Sequence, residues 1–403
     1  MPETSFGIAE GPSIRMSSSL AEGTTAAVKH ELRGQILDEY LADYARRNGP
    51  VPAEEQQRAR QVFDEVTPAA TLPTMDAIFP PKLNRGDVVR VVAPARSRAM
   101  VTEHDHTGII EARFAELGLT LSYGRHVDER DAFDSSSITS RVADLHEAFA
   151  DPSVAAIMTV IGGYNCNELL PFLDWDLIRA NPKILCGYSD ITALQNAILA
   201  RTGLVTYSGP HWSTFGMRDH FEQILRWFTD VMFGSDPVAL APADHWSDDL
   251  WFLDQDKRDL VPNEGWWRLR PGSAEGRIVG GNLCTLNLLQ GTPNMPSLAG
   301  AILIVEDDLE SHPATFARNL TSLLQLPDAA DVRGLVIGRF QTATRMTRSL
   351  LEQVIAAQPS LAGVPVLANI DVGHTYPMAT FPIGGQGELT VAEGEASLTL
   401  LRH

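Results

Sequence analysis

Lys183-Ile184-Leu185-Cys186-Gly187-Tyr188-Ser189-Asp190-Ile191-Thr192-Ala193-Leu194 reads as a buried strand that enters a helix through a turn of small residues. The apolar run is short enough for a strand, and the residues from Ile191 onward open an amphipathic helical pattern. Ser189 then sits at the strand-to-helix corner with its hydroxyl exposed. This is the geometry of a nucleophile elbow, although Ile191 stands where G-x-S-x-G requires its last glycine. Backbone N–H groups and the helix dipole at such a corner can stabilise an oxyanion. The same residues admit a second reading, in which Ser189 or Asp190 merely caps the helix.

Working outward, similar strand-like runs occur at Val88 to Ala93, Ala155 to Ile161 and Leu204 to Tyr207, separated by helical segments such as Thr107 to Leu117. Alternation of this kind predicts a parallel sheet covered by helices on both faces. A second alternating region follows, with strands at Ala301 to Val305, Gly334 to Ile337 and Val366 to Ile370. Its helices fall near Ala314 to Leu326 and Thr347 to Ala357, and a terminal β segment covers Leu389 to Leu401. Between the two regions, Phe221 to Met232 reads as a helix, and Pro237 to Arg277 as a Trp-rich loop with little periodicity. Before them, Met1 to Ser19 has a disordered composition, two helical stretches follow, and Thr67 to Pro81 reads as a Pro/Ala-rich linker. The expected organisation is an extension over 1–81, a nucleophile-bearing domain over 82–215, a connecting segment over 216–277 and a second domain over 278–403.

A chain of 403 residues exceeds what one hydrophobic core usually organises, in line with two domains. Its 32 Lys and Arg against 51 Asp and Glu leave a formal charge of −19, which repels polyanions, so no nucleic-acid partner is expected. Three widely spaced cysteines suit neither a disulfide framework nor a metal site, and no apolar run reaches membrane-spanning length. The expectation is a cytoplasmic protein with no membrane partner, no metal and no cofactor.

Other strand ends carry candidate chemistry. Gly162-Gly163, before Tyr164-Asn165, can turn sharply and offer an unhindered N–H, which suits half of an oxyanion hole or only a turn. Serine attack needs an imidazole base. Among 11 histidines, His374 in Asp371-Val372-Gly373-His374-Thr375-Tyr376-Pro377 follows a strand directly, with His211 and His312 as alternatives. Glu306, at the end of Ile302 to Val305, is placed to orient that base. Asp307, Asp308 and Glu310 read either as solvated acids at a helix start or as a hard-cation site. The aromatic residues between Trp246 and Trp267 suit either the wall of a site for a planar group or a seal between domains.

Taken together, Val92 to Ser97, Ile161 to Leu170, Lys183 to Leu194, Gly280 to Thr292, Ile304 to Asp308 and Val372 to Gly385 resemble, in order, the LD-carboxypeptidase and microcin C immunity family of serine peptidases. The resemblance implies a flavodoxin-like N-terminal domain, a C-terminal swivelling β/α domain and a triad of Ser189, Glu306 and His374. It also implies an oxyanion hole from Gly163, with Gly162 adjacent, and Asp190, and a homodimer. The Trp-rich insert and His374-Thr375-Tyr376-Pro377 look more like the immunity branch. The expected substrate is therefore a small peptidyl- or aminoacyl-nucleotide, with a cell-wall muropeptide tetrapeptide as the alternative. Expected substrate contacts are Tyr164, Asn165, Trp251, Asp254 and Asn282. Residues 1 to about 80 have no counterpart in this resemblance. A simple α/β-hydrolase esterase, a non-catalytic flavodoxin-like binding protein and a dimerising N-terminal arm are the competing readings.

Overall fold

A computed structural model describes residues 76–403, apart from 102, 103 and 105. The disordered and helical stretches expected before residue 76 lie outside the described residues. The last part of the supposed linker is ordered against the body of the protein. Ile78 forms a parallel bridge to Leu204, and Phe79 lies under the Arg402 guanidinium at 4.0 Å.

The first sheet contains β1 (Val88–Val92), β2 (Thr120–Tyr123), β3 (Val154–Thr159), β4 (Ile184–Gly187) and β5 (Thr206–Ser208), all parallel, in the order β5-β4-β3-β1-β2. Helices over Ile138–Ala150 and Ile191–Thr202 are among those that cover it. β3 and β4 are almost wholly buried, which is why they read as unbroken apolar runs rather than as alternating strands.

The region expected as a loop instead contributes several strands: β6 (Val238–Leu240), the two-residue ribbon β7 (His245–Trp246) and β8 (Val261–Pro262), and β9 (Trp267–Arg270). They are too short to show a period, so only their pairing reveals them. β10 (Gly272–Asn282) is long, but its four glycines mask the alternation. It pairs in parallel with β11 (Ala301–Glu306), followed by β12 (Gly334–Gly338) and β13 (Val366–Ile370). β14 (Phe381–Ile383) crosses to the first sheet and pairs antiparallel with β5. β15 (Gln386–Val391) and β16 (Ala396–Arg402) split the single terminal β segment that was expected. They complete a mixed second sheet ordered β6-β16-β15-β10-β11-β12-β13-β9.

The helix Ile191–Thr202, expected to be amphipathic, is buried around nearly its whole circumference. It lies between the sheets, and its polar residues donate and accept in both directions. Gln195 Nε2 donates to the carbonyls of Gly187 and Tyr207, whereas Asn196 Nδ2 donates to that of Gly280. Thr192 Oγ1 accepts from the Asn282 N–H at 2.9 Å. Each such bond contributes about 1 kcal/mol net, and removing one partner strands the other at a cost of about 1–3 kcal/mol. The nucleophile-bearing corner is thereby anchored to both sheets.

Candidate active site

Ser189 adopts φ 61°, a left-handed conformation that a side-chain-bearing residue rarely takes. The strain turns the chain sharply from β4 into the following helix and presents the hydroxyl at the corner. The capping alternative is not what the side chain of Asp190 does, since it makes no cap hydrogen bond to that helix. It accepts instead from the N–H groups of Asn165 at 3.0 Å and Cys166 at 2.9 Å, in the Gly-Gly loop. That loop presses on the corner. A Cβ on Gly162 would lie 2.9 Å from Ser189 Cβ and 3.0 Å from its Oγ.

His374 reaches Ser189 from the segment between β13 and β14. Its Nε2 lies 3.1 Å from Ser189 Oγ, and its Nδ1 lies 2.7 Å from Oε2 of Glu306, the last residue of β11. Gly373, at φ 95°, is required here because a Cβ would strike the Glu306 carboxylate. Burial disfavours a charged His374, but Glu306, then Asp308 and Asp307, outweigh it and hold the imidazole above its ordinary pKa.

The segment carrying His374 is braced at both ends. The Arg339 guanidinium and Asp371 carboxylate form a fully buried pair at 2.6 Å, with Trp246 stacked 5.3 Å from Arg339. Ser247 and Tyr376 exchange two backbone hydrogen bonds of 2.8 Å. The other two candidate histidines sit differently. His211 is buried beneath Tyr188, with Nδ1 2.8 Å from Thr159 Oγ1, and burial pushes its pKa down to about 3. His312 is exposed immediately before the helix Pro313–Leu324.

Ser189 and His374 open onto a cavity of about 310 Å³, whose walls include Arg96, Gly163, Tyr164, Trp251, Tyr376, Asp308 and Glu310. A second, more enclosed chamber of about 350 Å³ adjoins it across Tyr188, Trp251 and Tyr376, and extends to Trp212, His104 and His106. Within the Trp-rich segment, Trp251 lines both cavities, whereas Trp246 packs on the Arg339–Asp371 pair at the end of the second sheet. Of the expected substrate contacts, Tyr164 and Trp251 line the Ser189 cavity. Tyr164 Oη donates to Glu310 Oε1 at 2.9 Å.

Asn165, Asp254 and Asn282 do not line it. Asn165 is held through its backbone, and Asp254 pairs with Lys257 at 2.7 Å. Asn282 is buried and caps the helix Leu283–Asn287, accepting from Thr285 N–H at 3.0 Å. The acids after Glu306 are also corrected, because the next helix starts only at Pro313. Asp307 is buried, with its carboxyl pushed up to about 7, while Asp308 and Glu310 face the cavity. Sequence reasoning passed over Tyr188 and Arg96 as site residues, though each adjoins a segment singled out there. Among the described residues, no group of three or more His, Cys, Asp or Glu is placed to hold a metal ion.

Profiles of the LD-carboxypeptidase N-terminal and C-terminal domains match residues 89–209 and 275–389. The chain belongs to the LD-carboxypeptidase family. This LD-carboxypeptidase family member is accordingly a serine peptidase or hydrolase. Its fold matches the crystal structure of an MccF-like protein from Bacillus anthracis with a TM-score of 0.80 and 46% identity, covering 81% of this chain and 100% of that one. The microcin C7 self-immunity protein MccF of Escherichia coli is 35% identical over 66% of this chain and 80% of its own. A structure of MccF in complex with glutamyl sulfamoyl guanosine aligns with a TM-score of 0.72 and 29% identity, covering 82% and 99% of the two chains. The murein tetrapeptide carboxypeptidase of Pseudomonas aeruginosa is 30% identical over 73% of this chain and 91% of its own. No helix among the described residues is long and apolar enough to cross a membrane.

Proposed function

We propose that this protein hydrolyses an amide-type bond in a peptidyl- or aminoacyl-nucleotide, with Ser189 as nucleophile, His374 as general base and acid, and Glu306 as its orienting carboxylate. The observation that carries this reading is the unbroken chain Ser189 Oγ, His374 Nε2 and Nδ1, Glu306 Oε2, at 3.1 and 2.7 Å, opening on a cavity walled by aromatic rings.

His374 Nε2 takes the Ser189 proton as Oγ bonds to the scissile carbonyl carbon. The N–H groups of Gly163, with Gly162 adjacent, and Asp190 receive the oxyanion, each such donor being worth roughly 3 kcal/mol. Collapse breaks the C–N bond, and His374 returns its proton to the leaving nitrogen. Water then repeats the sequence on the acyl-enzyme and releases a carboxylate. Throughout, Glu306 fixes the proton on Nδ1 and stabilises the imidazolium.

Two observations bear on the substrate. The adjoining aromatic chamber suits the planar base of a nucleotide leaving group, as does the likeness to MccF. A second reading, cleavage of a muropeptide tetrapeptide, draws on the likeness to the murein tetrapeptide carboxypeptidase of Pseudomonas aeruginosa; Asp308 and Glu310 in the cavity wall suit the ammonium group that either substrate carries. We also read the protein as a cytoplasmic homodimer, a setting that suits the free thiols of Cys166, Cys186 and Cys284.

The test is incubation with aspartyl sulfamoyl adenosine and, separately, a muropeptide tetrapeptide, with products identified by mass. Release of the amino acid from the nucleotide analogue supports the first reading, and loss of the terminal alanine alone supports the second. Ser189→Ala should fold and lose hydrolysis by several orders of magnitude, and turnover near that of the parent would reject the nucleophile.

A further inference from the structure

The loop that supplies one half of the expected oxyanion hole is gripped from two sides by buried charges. From the nucleophile side, Asp190 Oδ2 accepts both the Asn165 and Cys166 N–H groups, and Asp190 is only 3% exposed. From the helix Ile138–Ala150, Arg141, also 3% exposed, donates to the Asn165 carbonyl at 3.0 Å and to the Pro94 carbonyl at 3.2 Å. Its second terminal nitrogen pairs with Glu168 Oε2 at 2.7 Å. Pro94 belongs to the neighbouring loop, whose Arg96 N–H donates to the Gly162 carbonyl at 3.3 Å. Apart from the Arg141–Glu168 pair, every contact of this network ends on main-chain atoms of the Gly-Gly loop or of the loop beside it. None reaches into the cavity.

Buried carboxylates and guanidinium groups are expensive to desolvate, and here Asp190 and Arg141 direct most of their bonds to main-chain atoms of the Gly-Gly loop and its neighbour. We propose that the Asp190 side chain, backed by Arg141, is a positioning clamp that sets the separation of the Gly163 and Asp190 N–H groups. Asp190 thus acts twice, offering its own N–H to the oxyanion and holding the loop that offers the other. This deepens the reading of Ser189 as nucleophile and rests on it.

The clamp predicts a loss in the chemical step without a loss in binding. The experiment measures labelling of the full chain by a fluorophosphonate, whose phosphoryl oxygen occupies the oxyanion position, and separates the maximal rate kinact from the half-saturating concentration KI. Asp190→Leu should lower kinact about 10²-fold, comparable to losing one oxyanion donor, with KI within threefold and the pH midpoint set by His374 unchanged. Asp190→Asn should recover to within about tenfold of the parent, because an amide oxygen can accept the same two N–H groups. A merely structural role would not give this split. Parental kinact in folded Asp190→Leu, or an effect confined to KI, overturns the clamp. If Asp190→Leu lacks a cooperative thermal transition, Arg141→Met decides: a fall in kinact of about tenfold supports the clamp, and parental kinact overturns it. Failure of the parent itself to label at Ser189 would reject the nucleophile, and the clamp with it.

Discussion

Glu306→Gln probes the most buried link of the candidate triad. The carboxylate is 3% exposed and its Oε2 accepts from His374 Nδ1 at 2.7 Å. Gln is nearly isosteric, so packing against Gly373 persists, but two things change. The negative charge goes, and an amide nitrogen can turn toward Nδ1, which moves the imidazole proton to Nε2. That proton would then face Ser189 Oγ across 3.1 Å, and the base would have no lone pair to use. With charge centres about 4 Å apart and an effective dielectric of about 20, the lost attraction for the imidazolium is about 4 kcal/mol. Loss of the correct tautomer raises the expected effect to about 10⁴-fold in kcat/KM, or about 5 kcal/mol. The pH profile supplies a second measure. In the parent, Glu306 helps hold the His374 pKa above its ordinary value against burial, so activity rises with pH through a midpoint above about 6.5. Removing the carboxylate charge lets burial weigh more, and the midpoint should move to lower pH. The assay is kcat/KM from pH 5 to 9 on whichever substrate is cleaved, or kinact/KI with a fluorophosphonate. A variant within tenfold of the parent, with its acid limb unmoved, would refute the role given to Glu306.

Gly162→Ala should leave the protein folded but lower kcat about 10²-fold. The added Cβ, 2.9 Å from Ser189 Cβ, must displace the hydroxyl by a fraction of an ångström, and near-attack geometry is sensitive on that scale. Circular dichroism and melting would verify folding, and an unimpaired kcat would contradict the packing argument. His211 makes a prediction about stability. Its folded pKa, near 3, lies below the unfolded value of about 6.5, so the unfolded chain binds the extra proton between those values. Stability from this group is complete above about pH 6.5 and is lost as pH falls toward 3. Melting temperatures at pH 7, 5 and 4 should therefore fall less steeply for His211→Asn than for the parent; parallel slopes would count against a neutral buried imidazole.

Most parallel strands were legible because burial on both faces writes them as short apolar runs, and β13 coincides with the run expected at Val366 to Ile370, whereas β2, with no fully buried residue, left no such run. The corner was legible for a related reason, since a buried strand that passes through Gly187-Tyr188-Ser189-Asp190 into a helix places Ser189 at the turn, although a helix cap fitted the same residues. His374, four residues past β13, and Glu306, the last residue of β11, could be proposed from their places at strand ends, although position alone left His211 and His312 open as bases. What stayed hidden depends on partners distant in sequence. β6 and β9 have three and four residues, too few for a pattern, and exist through β16 and β13. The helix after Ser189 looked one-sided because Thr192, Gln195 and Asn196 are polar, yet each is buried by bonding to backbone the sequence does not show beside it. Asp307 looked solvated for the converse reason, because its own segment does not show that it is buried beside Asn282 at the end of β10, whose Nδ2 lies 3.4 Å from its Oδ1. Asn282 and Asp254 stand near matching motifs, but their side chains are engaged in a cap and an ion pair.

The crossing of β14 into the first sheet has a consequence for biosynthesis. β5 is made early, but its antiparallel neighbour Phe381–Ile383 comes from near the C-terminus. At roughly 5–20 residues per second, a ribosome needs about 9 to 35 s to travel between them. During that interval the nascent chain displays an unpaired sheet edge, and for nearly all of it His374 has yet to be made. The same crossing that seals the edge also brings His374, so the candidate triad cannot assemble before translation has passed residue 374.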